Sequence, residues 1–107
     1  MKNLYGEVKL TKDELLESDA QYMELEYYKT TDKPSFVKEG GCSYGIEVIK
    51  NEYSNGEKVT ESGNMNNITH DEKVLDDLLA SMKKNKVTPC TLEDSVIEYL
   101  KSKELQD

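Results

Sequence analysis

The sequence predicts an α+β domain: a three- to four-stranded antiparallel sheet with two C-terminal helices packed on one face. Three observations lead there. Tyr22 to Thr30 and Ser43 to Tyr53 alternate apolar and polar side chains, the period-two pattern of half-buried strands. An Asn55-Gly56 pair follows the second run, and Asn-Gly between alternating segments is a strong hairpin signal. Ile68 to Leu100 holds two apolar stripes of helical period, each behind a capping residue and separated by Pro89. Strands followed by helices, without alternation, define the class.

Residues 1–19 read as a weakly structured N-terminal segment. Tyr5 to Leu10 is compatible with a strand that extends the sheet, with Leu4, Val8 and Leu10 on one face across Gly6. Thr11-Lys12-Asp13-Glu14 matches a capping box, which opens a short helical turn through Glu17. That turn offers a core only Leu15 and Leu16, so the segment is expected to be short and weakly held. The domain proper spans residues 20–103, and residues 104–107 form a frayed tail.

In the first strong strand, Met23, Leu25 and Tyr27 point inward, and Glu24, Glu26 and Tyr28 outward. Thr31 to Gly41 reads as a loop, with Pro34, Gly40 and Gly41, and with Phe36 and Val37 as its large apolar residues. In the second strand, Tyr44, Ile46 and Val48 share the inner face; Glu47, Asn51 and Tyr53 take the other, joined there by the apolar exception Ile49. Lys58 to Ser62 returns as a polar edge strand with Val59 inward, and Gly63 to Asn67 is a linker.

Thr69 is the expected N-cap of the first helix. Glu72 completes a capping box, Ile68 acts as a staple, and His70 takes the first helical position. Asp71 and Glu72 suit the positive end of the helix dipole; Lys83, Lys84 and Lys86 suit the other. Val74, Leu75, Leu78, Leu79 and Met82 form one stripe, and Asn85 is the expected left-handed stop. Val87-Thr88 must be extended before Pro89. Thr91 then caps a second helix, whose stripe is Leu92, Val96, Ile97 and Leu100. The expected core joins both stripes and Val87 to Met23, Leu25, Tyr27, Tyr44, Ile46, Val48 and Val59.

Composition narrows the function. The chain has 107 residues, the size of one domain, with 34% charged residues and a net charge of −8. All 14 basic residues are Lys. An acidic chain without Arg is poorly suited to direct contact with nucleic acid or with an anionic membrane. No run approaches the roughly 20 apolar residues of a membrane span, and Met1 to Gly6 lacks the start of a secretory signal, so a cytoplasmic location is expected. Cys42 and Cys90 fit a reducing compartment.

No cofactor or metal site is expected. One His and two distant Cys lack zinc-ligand spacing. Asn51 to Ser62 fails as a calcium loop, because Tyr53 stands where an oxygen ligand is needed. Gly40-Gly41 is followed by no phosphate-loop Lys and Ser. Glu72, Asp76 and Asp77 read as a solvated helix face balanced by Lys73 at i, i+4 from Asp77.

The tyrosines carry the functional reading. Tyr makes up seven of the eight aromatic residues. Tyr22, Tyr28 and Tyr53 fall on the strand face away from the helices, with Ile49. Tyrosine combines large contact area with a polar tip and is enriched at interfaces. The expected function is a non-enzymatic protein-interaction or regulatory module, binding a protein partner or a second copy through Tyr22, Tyr28, Ile49 and Tyr53. One alternative is an acidic mimic of nucleic acid that inhibits a DNA- or RNA-binding protein. Another is a small enzyme pairing His70 with a cysteine.

Tyr44-Gly45-Ile46-Glu47-Val48-Ile49-Lys50 resembles the "YGIEI-K" strand of a family of small uncharacterised bacterial proteins, a domain of unknown function. Asp71 to Leu100 is similar to the family's capped helix, Val-Thr-Pro elbow and second helix. Tyr22 to Tyr28 is similar to its tyrosine-rich first strand. The resemblance covers roughly residues 22–100, with Cys90 a departure from the pattern. It implies the fold and supplies no activity.

Overall fold

The alternating segments do pair as a sheet, and the stripes of helical period do close over one side of it. The structure is a computed structural model that describes residues 2–14, 21–32 and 43–105. Strands β1 (Lys2–Thr11), β2 (Tyr22–Asp32), β3 (Ser43–Ser54) and β4 (Glu57–Thr69) form an antiparallel meander in the order β1-β2-β3-β4. Helices α1 (Glu72–Lys84) and α2 (Leu92–Leu105) follow. Short 3-10 turns occupy Lys12–Glu14 and Pro89–Thr91.

Register decides which side chains share a face. Leu10 lies opposite Met23, Val8 opposite Leu25, Tyr27 opposite Val48 and Ile46 opposite Met65. These side chains face the helices. With Leu75, Leu78, Leu79, Met82, Val87, Leu92 and Val96 they make one core. Tyr27 is its largest fully buried member, at 0% exposure. Its hydroxyl donates to the Val87 carbonyl at 2.8 Å, so the elbow between the helices is tied to the middle of the sheet. Lys29 makes a second tie on the same face. Its Nζ pairs with Glu72 at 2.8 Å and Asp76 at 3.1 Å on α1. Those acids are therefore balanced by a strand lysine rather than by Lys73 alone, a link that sequence spacing within the helix could not show. Lys50 pairs with Glu52 and Glu61 on this side too, and the two carboxylates outweigh its burial and raise its pKa.

Several expectations are corrected. The N-terminal segment supplies a ten-residue edge strand, longer than Tyr5 to Leu10. A bulge at Tyr5 moves Leu4 to the face opposite Val8 and Leu10, where it is 52% exposed. The expected turn after Thr11 is the single 3-10 turn at Lys12–Glu14, and Leu15, Leu16 and Glu17 lie outside the described residues. The polar linker Gly63 to Asn67 is instead part of β4, which runs for 13 residues. Backbone pairing with β3 holds this stretch, and pairing does not need apolar side chains. Val59 is 55% exposed rather than buried. Helical cover reaches β4 at Gly63, beneath Pro89, and Val59 lies about 13 Å further along the strand. Ile97 is 39% exposed, so the stripe of α2 is narrower than expected. Thr31 and Asp32 complete β2; residues 33–42, with Pro34, Phe36, Val37, Gly40, Gly41 and Cys42, lie outside the described residues.

The helix ends differ by a few residues, each for a local reason. Thr69 is still in the strand, and its Oγ accepts from the Asp71 N–H. Asp71 is the N-cap, accepting from the Lys73 N–H at 3.0 Å, and His70 lies in the bend before it. Thr88 rather than Thr91 opens the second helical stretch, with Pro89 at its first position, where a missing N–H costs nothing. The Thr88 N–H donates to Thr91 Oγ at 3.4 Å. At the end of α1 the left-handed residue is Lys86 (φ 55), not Asn85 (φ −92). The Val87 N–H reaches the Met82 carbonyl and the Lys86 N–H reaches that of Lys83, the paired bonds of a Schellman motif.

The β3–β4 turn forms as expected, with Asn55 (φ 52) and Gly56 (φ 81) both left-handed, as a type I′ turn requires. Gly45 answers a different need. A bulge around Asn66 and Asn67 (φ 56) brings β4 so close that any side chain at 45 would collide with the Met65 carbonyl oxygen.

Two outcomes follow from these contacts. Burial pushes the Tyr27 hydroxyl well above its ordinary value of 10.0. The folded state therefore keeps its proton where the unfolded chain loses it. This contribution is complete below pH 10 and declines as pH rises above it. Tyr27→Phe should cost about 1–2 kcal/mol at neutral pH by orphaning the Val87 carbonyl, and should flatten the alkaline loss of stability in urea melts. Lys86→Gly should stabilise the fold by roughly 0.5–1 kcal/mol, because glycine takes the left-handed region without a Cβ penalty; thermal melts read this as a gain of a few degrees.

Candidate functional site

The helices cover one face of the sheet, and the other carries the tyrosines. Tyr22 pairs opposite Tyr53, Glu24 opposite Asn51, Glu26 opposite Ile49 and Tyr28 opposite Glu47. Since opposite residues in an antiparallel pair share a face, Tyr22, Tyr28, Ile49 and Tyr53 all lie on the outer side. Each is part-buried among its neighbours.

The four residues form two groups. Tyr22 and Tyr53 have ring centroids 5.6 Å apart at 36°, a tilted aromatic pair. Lys58, opposite Tyr53, brings its Nζ to 5.9 Å from that ring. At the other end Tyr28 neighbours Ile49 diagonally and Leu4 directly. The Lys2 Nζ sits 4.6 Å above the Tyr28 ring and pairs with Glu47 at 2.8 Å. Leu4 is expected on the same strand face as Val8 and Leu10; the Tyr5 bulge instead makes it the most exposed apolar part of the outer patch. A bulge one residue before a glycine leaves no apolar periodicity to read.

A polar chain fixes the middle. The Tyr28 hydroxyl donates to Glu26 Oε1 at 2.8 Å. Asn51 Nδ2 donates to the other Glu26 oxygen at a long 3.5 Å, and Thr60 Oγ1 donates to Asn51 Oδ1 at 2.8 Å. The chain crosses β2, β3 and β4. Asn51 lies at its centre with 6% exposure. Alternation placed Asn51 on this face but gave no sign that it would be buried there.

These groups also set the acidity of the tyrosines. The hydrogen bond to Glu26 raises the pKa of Tyr28, helped by partial burial and by the charges of Glu26, Glu47 and Glu7. Desolvation raises that of Tyr22, with Glu24 adding to it. Both phenols therefore remain neutral hydrogen-bond donors well past physiological pH.

The residues weighed for catalysis lie elsewhere. Cys90 is exposed in the Pro89–Thr91 turn on the helix side, with its Sγ 3.9 Å from Glu61 Oε2. Cys42 is outside the described residues. Among the described residues, no group of three or more His, Cys, Asp and Glu side chains is placed to hold a metal ion. An open groove of about 360 Å³ lies between the end of α1 and α2, lined by Ser81, Asn85, Ser95 and Glu98 together with Met82, Val87 and Tyr99.

Fold and face together define a small α+β domain: a meander with helices on one side and, on the other, an aromatic surface that no element among the described residues covers. The chain belongs to a family of unknown function, DUF6514, whose model matches residues 7–102. That span runs from the middle of β1 into α2 and includes Tyr22, Tyr28, Ile49 and Tyr53, but not Lys2 or Leu4. No curated protein and no solved structure matches the chain. No helix among the described residues is long and apolar enough to cross a membrane.

The Tyr28–Glu26 bond can be tested directly. Glu26→Gln removes both the charged acceptor and the nearest negative charge, so Tyr28 should titrate closer to its ordinary value of 10.0. Ultraviolet titration of the phenolate, with Tyr28→Phe to assign the signal, reads the change.

Proposed function

We propose that this is a non-enzymatic cytoplasmic module, acting in protein interaction or regulation, that docks a protein through the outer face of its sheet. The observation that carries this reading is the gathering of Leu4, Tyr28 and Ile49 at one end of the outer face and of Tyr22 and Tyr53 at the other, on a side that no element among the described residues covers. Aromatic and aliphatic anchors of this kind dominate binding where they become desolvated, while a polar surround keeps water out. Here the surround is Lys2, Glu7, Lys9, Glu24 and Lys58. Cross-strand contacts hold the rings in place, so docking orders few side chains.

An acidic mimic of nucleic acid is less well supported. Such a mimic presents rows of carboxylates; on this face Lys2, Lys9 and Lys58 are interspersed with them, so a mimic would have to use another surface of the chain. The enzyme reading draws nothing from this face either, since Cys90 lies on the opposite side.

Tyr28→Ala combined with Ile49→Ala should leave the circular dichroism spectrum unchanged and lower the melting temperature only modestly, since neither side chain is in the core although both lose cross-strand contacts. The pair should weaken binding by about 2 kcal/mol or more, some thirtyfold. Affinity capture from native lysate with wild-type and variant protein, washed at low and high salt, measures this. Retention of the same partner by the variant would refute the docking reading. A basic partner lost from the wild type at high salt alone would favour the mimic.

A further inference from the structure

The chemistry of the outer face is self-complementary, and this indicates what covers it. We propose that its occupant is a second copy of this chain, packed sheet against sheet about a two-fold axis along the strands. The inference rests on the docking reading above and names the partner.

The first support is charge. The chain carries a net −8, yet its outer face sets three lysines, Lys2, Lys9 and Lys58, against four carboxylates, Glu7, Glu24, Glu26 and Glu47, among the described side chains. The acidity is therefore concentrated elsewhere, and two such faces can approach without strong repulsion.

The second support is how those charges are divided. Glu7, Glu24 and Glu26 stand on β1 and β2, in rows opposite or continuing into neutral residues on β3 and β4. A two-fold axis along the strands exchanges the two halves. It lays Glu7 over Ser62 of the second copy, Glu24 over Asn51 and Glu26 over Ile49. In the end rows, Tyr22 meets Tyr53 and Tyr28 meets Glu47. No carboxylate faces a carboxylate, and Ser62 and Asn51 bring donors to the acids they meet, while the Tyr28 hydroxyl stays on Glu26 of its own chain. Aligned sheet packing turns the strands by about 30°, which shifts the outer rows and preserves the central ones.

The third support is area. Four strands about 4.8 Å apart and ten residues long present roughly 600 Å² of sheet. Two copies together bury about 1,200 Å², the lower bound of a stable specific interface. The competing route, pairing along a sheet edge, meets a local bulge on each edge strand. β1 is bulged at Tyr5 and β4 at Asn66 and Asn67.

Sedimentation equilibrium of the full chain from low micromolar to several hundred micromolar tests the proposal. It is run on wild type, Ile49→Glu and Ser62→Lys, with circular dichroism to check the fold. Ile49→Glu sets a carboxylate against Glu26 of the second copy; Ser62→Lys sets an ammonium against Glu7. The expected result is a wild-type dimer that Ile49→Glu weakens at least tenfold and Ser62→Lys tightens several-fold at low salt. A dimer insensitive to Ile49→Glu uses another surface and overturns the proposal. A dimer weakened by Ser62→Lys overturns the two-fold axis. A wild-type monomer at every concentration overturns self-association; lysate capture with the Ile49→Glu protein then separates the two readings. If it loses a protein that the wild type retains, docking stands with a different occupant. If it retains the same proteins, docking falls as well.

Discussion

The hydrogen bond from Tyr27 to the Val87 carbonyl is the point on which the two layers depend. Val87 lies between the helices, where the chain must be extended before Pro89. Its carbonyl would otherwise be buried beside the core with no acceptor role. Tyr27, from the middle of the sheet, supplies the donor and fills the space around it. The contact ties the elbow between α1 and α2 to the middle of the sheet, on the side where the shared core already places both helices. Lys29, two residues on, reaches the opposite end of α1. Adjacent inward positions of one strand thus hold the first helix near both its termini.

With one face committed to the helices, strand alternation puts the remaining side chains on the other, and these are unusually rich in tyrosine. They are organised as well as exposed. The chain from Tyr28 through Glu26 and Asn51 to Thr60 spans three strands, and the tilted Tyr22–Tyr53 pair fixes two more rings. Such a surface is stiff before anything binds. The bond to Glu26 raises the pKa of Tyr28 and desolvation raises that of Tyr22, so both stay neutral further into the alkaline range than a free phenol.

Much of this was legible in the sequence. Period-two alternation in β2 and β3 located the central strands and assigned Tyr22, Tyr28, Ile49 and Tyr53 to one side, because those strands have one apolar and one polar face. Asn55-Gly56 gave the turn, and the two helical stripes gave nearly all their buried residues. What escaped reading has physical causes. The second half of β4 is held by backbone pairing to β3, which leaves no strand pattern in Gly63 to Asn67. Leu4 changed sides through a bulge that depends on pairing with β2. The helix ends moved because Asp71 and Thr69 are both good caps, and the strand retained Thr69. The Lys29 tie joins residues far apart in the chain, and the burial of Asn51 follows from partners on neighbouring strands.

The meander order has a consequence for how this protein comes to be folded. Every strand's partner is its neighbour in the chain, so the sheet can assemble by successive local closures, beginning with the two-residue Asn55-Gly56 loop. The Tyr27–Val87 bond, by contrast, closes a separation of 60 residues. Sheet first and helical layer last is the order this topology favours. Until the helices dock, a half-built molecule would present apolar side chains on both sides of a thin sheet. Polarity on the face that ends up outside limits association at that stage. Hydroxylated aromatic rings set among carboxylates and lysines combine apolar area with that polarity.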